Sequence, residues 1–152
     1  MSIRCARLPR LAFIVIGLAV LSSGCGGETS PKPVFPVSGK VLVDGKPAAH
    51  ATVILHPVGE SGPDVVRPRA QVGPDGTFTV STYGSGDGAP AGEYAVTVEW
   101  WLTNAAAGKG RGDDLPPANR LPARYASAAS SGLKATVGEG ATELEAFRLS
   151  RR

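Results

Sequence analysis

Only two cysteines occur in the 152 residues, Cys5 and Cys25, so nothing beyond Cys25 can form a disulfide, present a thiolate nucleophile or build a cysteine zinc site. Histidine is as scarce. His50 and His56 stand alone, which leaves little material for acid–base or metal chemistry. No apolar run approaches the roughly 20 residues that a membrane-spanning helix requires, the longest being Leu11 to Leu21. A basic surplus is lacking too. The formal charge of +3 comes from Arg4, Arg7 and Arg10, and from Cys25 onward 13 basic side chains meet 13 acidic ones. Such a balance has no electrostatic footprint for a phosphate backbone, so nucleic acid is not an expected partner. Long amphipathic helical periodicity is also missing, while 20 Gly and 13 Pro punctuate short segments, the composition of one β-domain with many turns.

What is present is period-two alternation. Val37, Gly39, Val41 and Val43 alternate with Ser38, Lys40 and Leu42, and Ala51, Val53 and Leu55 alternate with Thr52, Ile54 and His56. Between them Asp44-Gly45-Lys46-Pro47 predicts a turn, with a strand resuming near Ala49. Arg69 to Val72 and Thr77 to Val80 flank Gly73-Pro-Asp-Gly76 and predict a hairpin, with Phe78 and Val80 inward and Thr77 and Thr79 outward. Thr82 to Gly92, with its run Gly-Ser-Gly-Asp-Gly-Ala-Pro-Ala-Gly, reads as a loop. Tyr94, Val96, Val98 and Trp100 then share one face, which sends Trp101 to the other with Thr97 and Glu99. Leu133, Ala135 and Val137 form a further strand, and Leu144 to Leu149 a last one with Phe147 and Leu149 inward. Seven strands in this length predict an all-β, immunoglobulin-like or transthyretin-like β-sandwich over residues 37–150, with Val41, Val53, Phe78, Val96 and Phe147 in one core.

The N-terminus reads as an export signal. Arg4, Arg7 and Arg10 make a positive n-region, Leu11 to Leu21 an apolar h-region, and Leu21-Ser-Ser-Gly-Cys25 follows. That ending resembles the lipobox of bacterial lipoproteins, with Gly24 before Cys25, although Ser22 stands where the family most often has Leu. The resemblance implies a signal peptide over 1–24, cleavage between Gly24 and Cys25, and a mature N-terminus acylated at Cys25. Residues 25–36, rich in Gly, Ser and Pro, then read as a tether from the membrane. Gly26 follows the cysteine where Asp would signal inner-membrane retention, so an exported protein of the outer membrane or cell surface is expected.

Val37-Ser-Gly-Lys-Val, Asp44-Gly-Lys-Pro, Gly73-Pro-Asp-Gly-Thr-Phe and Pro90-Ala-Gly-Glu-Tyr-Ala-Val-Thr-Val98 together resemble the carboxypeptidase-regulatory-like (transthyretin-like, prealbumin-like) sandwich domain. In particular they are similar to small lipoproteins of the planctomycete type that carry it. The resemblance spans roughly Phe35 to Leu149 and implies a fold and an address rather than an activity. Gly45-Lys-Pro-Ala-Ala49 also resembles the N-terminal region of hydroxyisourate hydrolases, but the histidines, arginine and C-terminal Tyr-Arg-Gly-Ser of that family have no counterparts here.

The function expected is therefore that of a non-enzymatic, membrane-anchored binding or structural module of the cell envelope, without a cofactor and with an envelope protein or polysaccharide as partner. Trp101, Arg111, Asp113 and Asp114, within a long aperiodic loop at 101–122, form the candidate binding surface. Two alternatives are a carbohydrate-binding module, which needs an exposed aromatic platform, and a metal-dependent enzyme using His50 and His56. An even interval along one strand would set both histidines on the outward face. Asp87 and the Asp113-Asp114 pair lack the dense acidic spacing of a calcium loop and read as turn residues. The Ser-rich run at 127–131 has no nucleophile elbow.

Overall fold

The structure, a computed structural model, describes residues 31–101 and 118–152. Those residues are essentially all-β, with eleven strand segments and one short 3-10 turn. Two open sheets share one apolar core in a sandwich-like arrangement. One sheet is built on β2 (Val37–Val43), whose buried Val37, Val41 and Val43 alternate with outward side chains as the sequence predicts. β3 (Lys46–Pro47) and β6 (Thr77–Thr79) pair antiparallel along one side of β2, and β10 (Thr142–Glu143) and β11 (Phe147–Leu149) pair parallel along the other. The second sheet has the order β5 (Arg69–Gln71), β4 (Thr52–Pro57), β8 (Gly92–Glu99), β9 (Leu133–Val137), all antiparallel.

Turn chemistry sets the local geometry. Asp44 and Gly45 both take positive φ, 49° and 79°, the mirror-image turn that matches strand twist and reverses β2 into β3. The chain then crosses to the other sheet. His50 has φ of 67° and donates its backbone N–H to the Val72 carbonyl, so β4 begins at Thr52, later than the alternation suggested. The turn at Gly73 to Gly76 also forms: the Gly73 N–H donates to the Thr77 carbonyl at 2.7 Å, and Asp75 Oδ1 accepts from the Thr77 N–H. Its two arms separate, however, β5 joining β4 and β6 joining β2, so the expected hairpin is a bridge between sheets. Only the Arg69–Ser81 bridge ties the arms beyond the turn.

The core contains the expected Val41, Val53, Phe78, Val96 and Phe147, with Leu55, Val98 and Leu149 beside them. Gly39 sits opposite Phe78 in the ladder, and the Phe78 ring lies over it, parallel to Phe147 with centroids 6.2 Å apart. The missing side chain at Gly39 makes room for that ring. A further ladder pairs β1 (Val34–Phe35), in the segment expected to be tether, with β7 (Ala89–Pro90), in the segment expected to be loop. Gly88, at φ of 99°, permits it, since any Cβ there would overlap the Phe35 carbonyl. The chain is thus fastened to the domain from Val34 onward.

Candidate functional site

Strand direction divides the domain into two ends. At the entry end, Lys32 donates its backbone N–H to the Tyr83 hydroxyl and pairs through Nζ with Glu60, while Val58 N–H reaches the Glu93 carbonyl beside the start of β8. β8 then runs to the opposite end, where Trp101 pairs with Asn119 in an isolated antiparallel bridge. From Gly92 to Trp101 is about 30 Å of extended chain, so the two ends are well separated.

At the far end the sequence rule for facing holds at both tryptophans. Trp100 turns inward, its indole N–H donating to the Ala49 carbonyl at 2.9 Å and its ring covered by the Arg120 guanidinium at 4.6 Å. Trp101 turns outward, is 45% exposed, and donates its indole N–H to Glu99 Oε2 at 3.0 Å. Asn119 clasps this corner. Its Oδ1 accepts from the Trp100 and Leu121 N–H groups, and the Arg120 N–H donates to the Trp100 carbonyl. The neighbouring 3-10 turn Ala123–Ala126 buries Tyr125, whose hydroxyl accepts from the Ser150 N–H after β11. A hydrogen-bonded corner therefore presents the exposed indole. Arg111, Asp113 and Asp114 of the candidate surface lie outside the described residues, as do Gly24 and Cys25.

The two histidines are not brought together. His56 is on the outer face of β4, whereas His50 lies before the strand in a positive-φ turn, and the strand from Thr52 to His56 alone spans about 13 Å. The two therefore do not sit on one strand face as the even interval suggested. Among the described residues no three His, Cys, Asp or Glu side chains gather as a metal site. His56 Nε2 instead lies 3.0 Å from Thr97 Oγ1. Partial burial, with a smaller effect of the Arg67 charge, holds the imidazole below its ordinary pKa of 6.5. Thr97 itself is 2% exposed although alternation places it outward; its cross-strand neighbour Ile54 and the diagonal His56 enclose it. Alternation alone carries no signal of that burial.

Other polar groups are occupied structurally. The Asp87 carboxylate accepts from the N–H groups of Thr82, Tyr83 and Gly84 at 2.7, 2.9 and 2.8 Å, which lowers its pKa and closes the glycine loop as turn chemistry. Tyr94 donates its hydroxyl to the Pro90 carbonyl, and burial pushes the phenol up to about 12. It is a neutral structural donor at ordinary pH. An open cleft of about 440 Å³ runs between β9 and the β10–β11 segment, flanked by Lys134, Arg148, Glu143 and Glu145. Its charges balance, so it selects for neither sign. Comparison with protein-family models, with curated proteins and with solved structures finds no match to this chain.

Proposed function

We propose that this protein is a lipid-anchored, exported β-sandwich of the outer membrane or cell surface that works without enzymatic chemistry and offers a contact surface at the end of the domain opposite the one where the chain enters it. The observation that carries this reading is the exposed Trp101, set on a clasped corner about 30 Å from the entry end. A tryptophan left wet on a rigid support is a ready anchor for a partner. The finer fold assignment, a seven-stranded immunoglobulin-like or transthyretin-like sandwich, is supported by the seven segments longer than two residues, β2, β4, β5, β6, β8, β9 and β11. Membership of the carboxypeptidase-regulatory-like lipoproteins rests on the strand and turn motifs quoted above. The anchor rests on Leu21 to Cys25 and on the basic and apolar leader before it.

The reading as a metal-dependent enzyme draws no support from His50 and His56, since His50 lies in a turn before β4 and His56 is hydrogen-bonded to Thr97. The sugar-binding reading is weakened by the separation of the exposed aromatics Tyr83 and Trp101, which stand at opposite ends and cannot form one platform. Fluorescence of the intact protein tests the contact surface. Trp101→Phe is expected to remove a red-shifted, acrylamide-accessible component, and adding isolated cell-envelope fragments is expected to protect that component in the wild type. A Trp101 signal that is already blue-shifted and protected in the free protein would withdraw the surface.

A further inference from the structure

Three of the four large apolar side chains exposed among the described residues are Val58, Val66 and Tyr83; hydrogen bonds to Glu93 and Lys32 place Val58 and Tyr83 at the entry end, and Val66 precedes β5 on the side where the chain leads from that end. Val58 is 61% exposed and Tyr83 49%. The β1–β7 ladder, the close approach of Gly88 to Phe35 and the Lys32–Tyr83 hydrogen bond fasten the incoming chain beside them. From Cys25 to Lys32 the chain can extend at most about 25 Å, and Pro31 reduces its slack. An acyl anchor at Cys25 therefore holds the entry end within that reach of the membrane. We infer that the entry end, through Val58, Val66 and Tyr83, is a lipid-contacting surface that rests among zwitterionic headgroups. The inference builds on the lipid-anchor reading and adds an orientation to it, with Trp101 facing away from the bilayer.

The charge at this end selects the lipid. Lys32 is neutralised by Glu60, the Asp87 carboxylate is taken up by three N–H groups, and Asp64, Glu93 and Glu139 outnumber Arg67. Glu139 belongs to the turn after Val137, which pairs with Gly92 and so lies at the same end. A slightly acidic end avoids anionic lipid, and its contact is apolar insertion of Val58 and Tyr83 at the headgroup boundary.

The test uses the lipidated full-length product, isolated from cells fed radioactive palmitate and reconstituted in phosphatidylethanolamine–phosphatidylcholine vesicles. Val58→Cys takes an environment-sensitive dye, with Lys46→Cys at the opposite end as the comparison; the mature chain's own Cys25 is blocked by its lipid. The expected result is a blue shift and loss of iodide quenching at position 58 but not at 46. Tyr83→Asp should restore quenching at 58, as should replacing part of the lipid with phosphatidylglycerol. Palmitate incorporation with equal iodide access at 58 and 46 overturns the surface alone. Absence of palmitate, or its survival in Cys25→Ser, overturns the anchor and the surface with it.

Discussion

Phe78 offers the sharpest test of how the core is assembled. It is 3% exposed, lies across the side-chain gap of Gly39 and stacks on Phe147. Phe78→Ala should therefore cost about 3–5 kcal/mol, the usual loss for a buried ring. At the entropy of unfolding of a domain of this size, that lowers the Tm by roughly 12–20 °C. The outward neighbour Thr79 is exposed, and Thr79→Ala should cost under about 1 kcal/mol. A more specific claim concerns Gly39. A Cβ there would come within 2.6 Å of Phe78 Cζ and 2.9 Å of Cε1, a collision that should make Gly39→Ala cost about 1–3 kcal/mol by overpacking. In the Phe78→Ala background the ring is gone, and the same substitution should be neutral or stabilising by about 0.5–1 kcal/mol. Urea denaturation of the wild type, both single variants and the double variant closes the cycle, with Cm shifting at constant m. A coupling of at least about 1 kcal/mol is expected. Additivity within about 0.5 kcal/mol would show that the Phe78 ring does not occupy the space over Gly39, and equal losses for Phe78→Ala and Thr79→Ala would show that the register is wrong.

Gly88→Ala should be among the most damaging single changes at the entry end, because its Cβ would fall inside the Phe35 carbonyl; hydrogen exchange should show the β1–β7 ladder opening while β4 and β8 stay protected. Asp87 has its pKa lowered below 3.8 by backbone hydrogen bonds, first that from Thr82, so its stabilisation is complete above 3.8 and is lost as the pH falls through the lower folded value. Asp87→Asn should flatten that acid limb in a Tm-against-pH profile, and an unchanged limb would refute the assignment. His56 has its pKa depressed by burial and by Arg67, so it contributes stability that is full above 6.5 and falls as acidification charges it in the folded state. Its NMR titration should lie below 6.5 and move upward in Arg67→Gln; a midpoint that does not respond would remove the Arg67 contribution.

The sequence by itself determined the faces of the strands and the positions of the turns. Side-chain direction along a strand alternates whatever the partner, so Val41, Phe78, Val96 and Phe147 could be placed inward and Trp101 outward from their own neighbours. Asp44-Gly45 and Gly73-Pro-Asp-Gly76 likewise carry their turn geometry within a few residues. Pairing is a different quantity, because it joins residues distant in the chain and leaves no local signature. Only the tertiary structure decided that the arms of the Gly73–Gly76 turn enter different sheets, that the last strand runs parallel to the first long one, and that Val34 and Phe35 belong to the domain. The same reason accounts for the candidate site. Alternation could set His50 and His56 on one nominal face, but the positive φ of His50 takes it out of the strand that carries His56. Thr97 is buried by neighbours across the sheet, and Trp100 is held by Asn119 and Arg120, distant from it in the chain, contacts that exist only once the chain has folded.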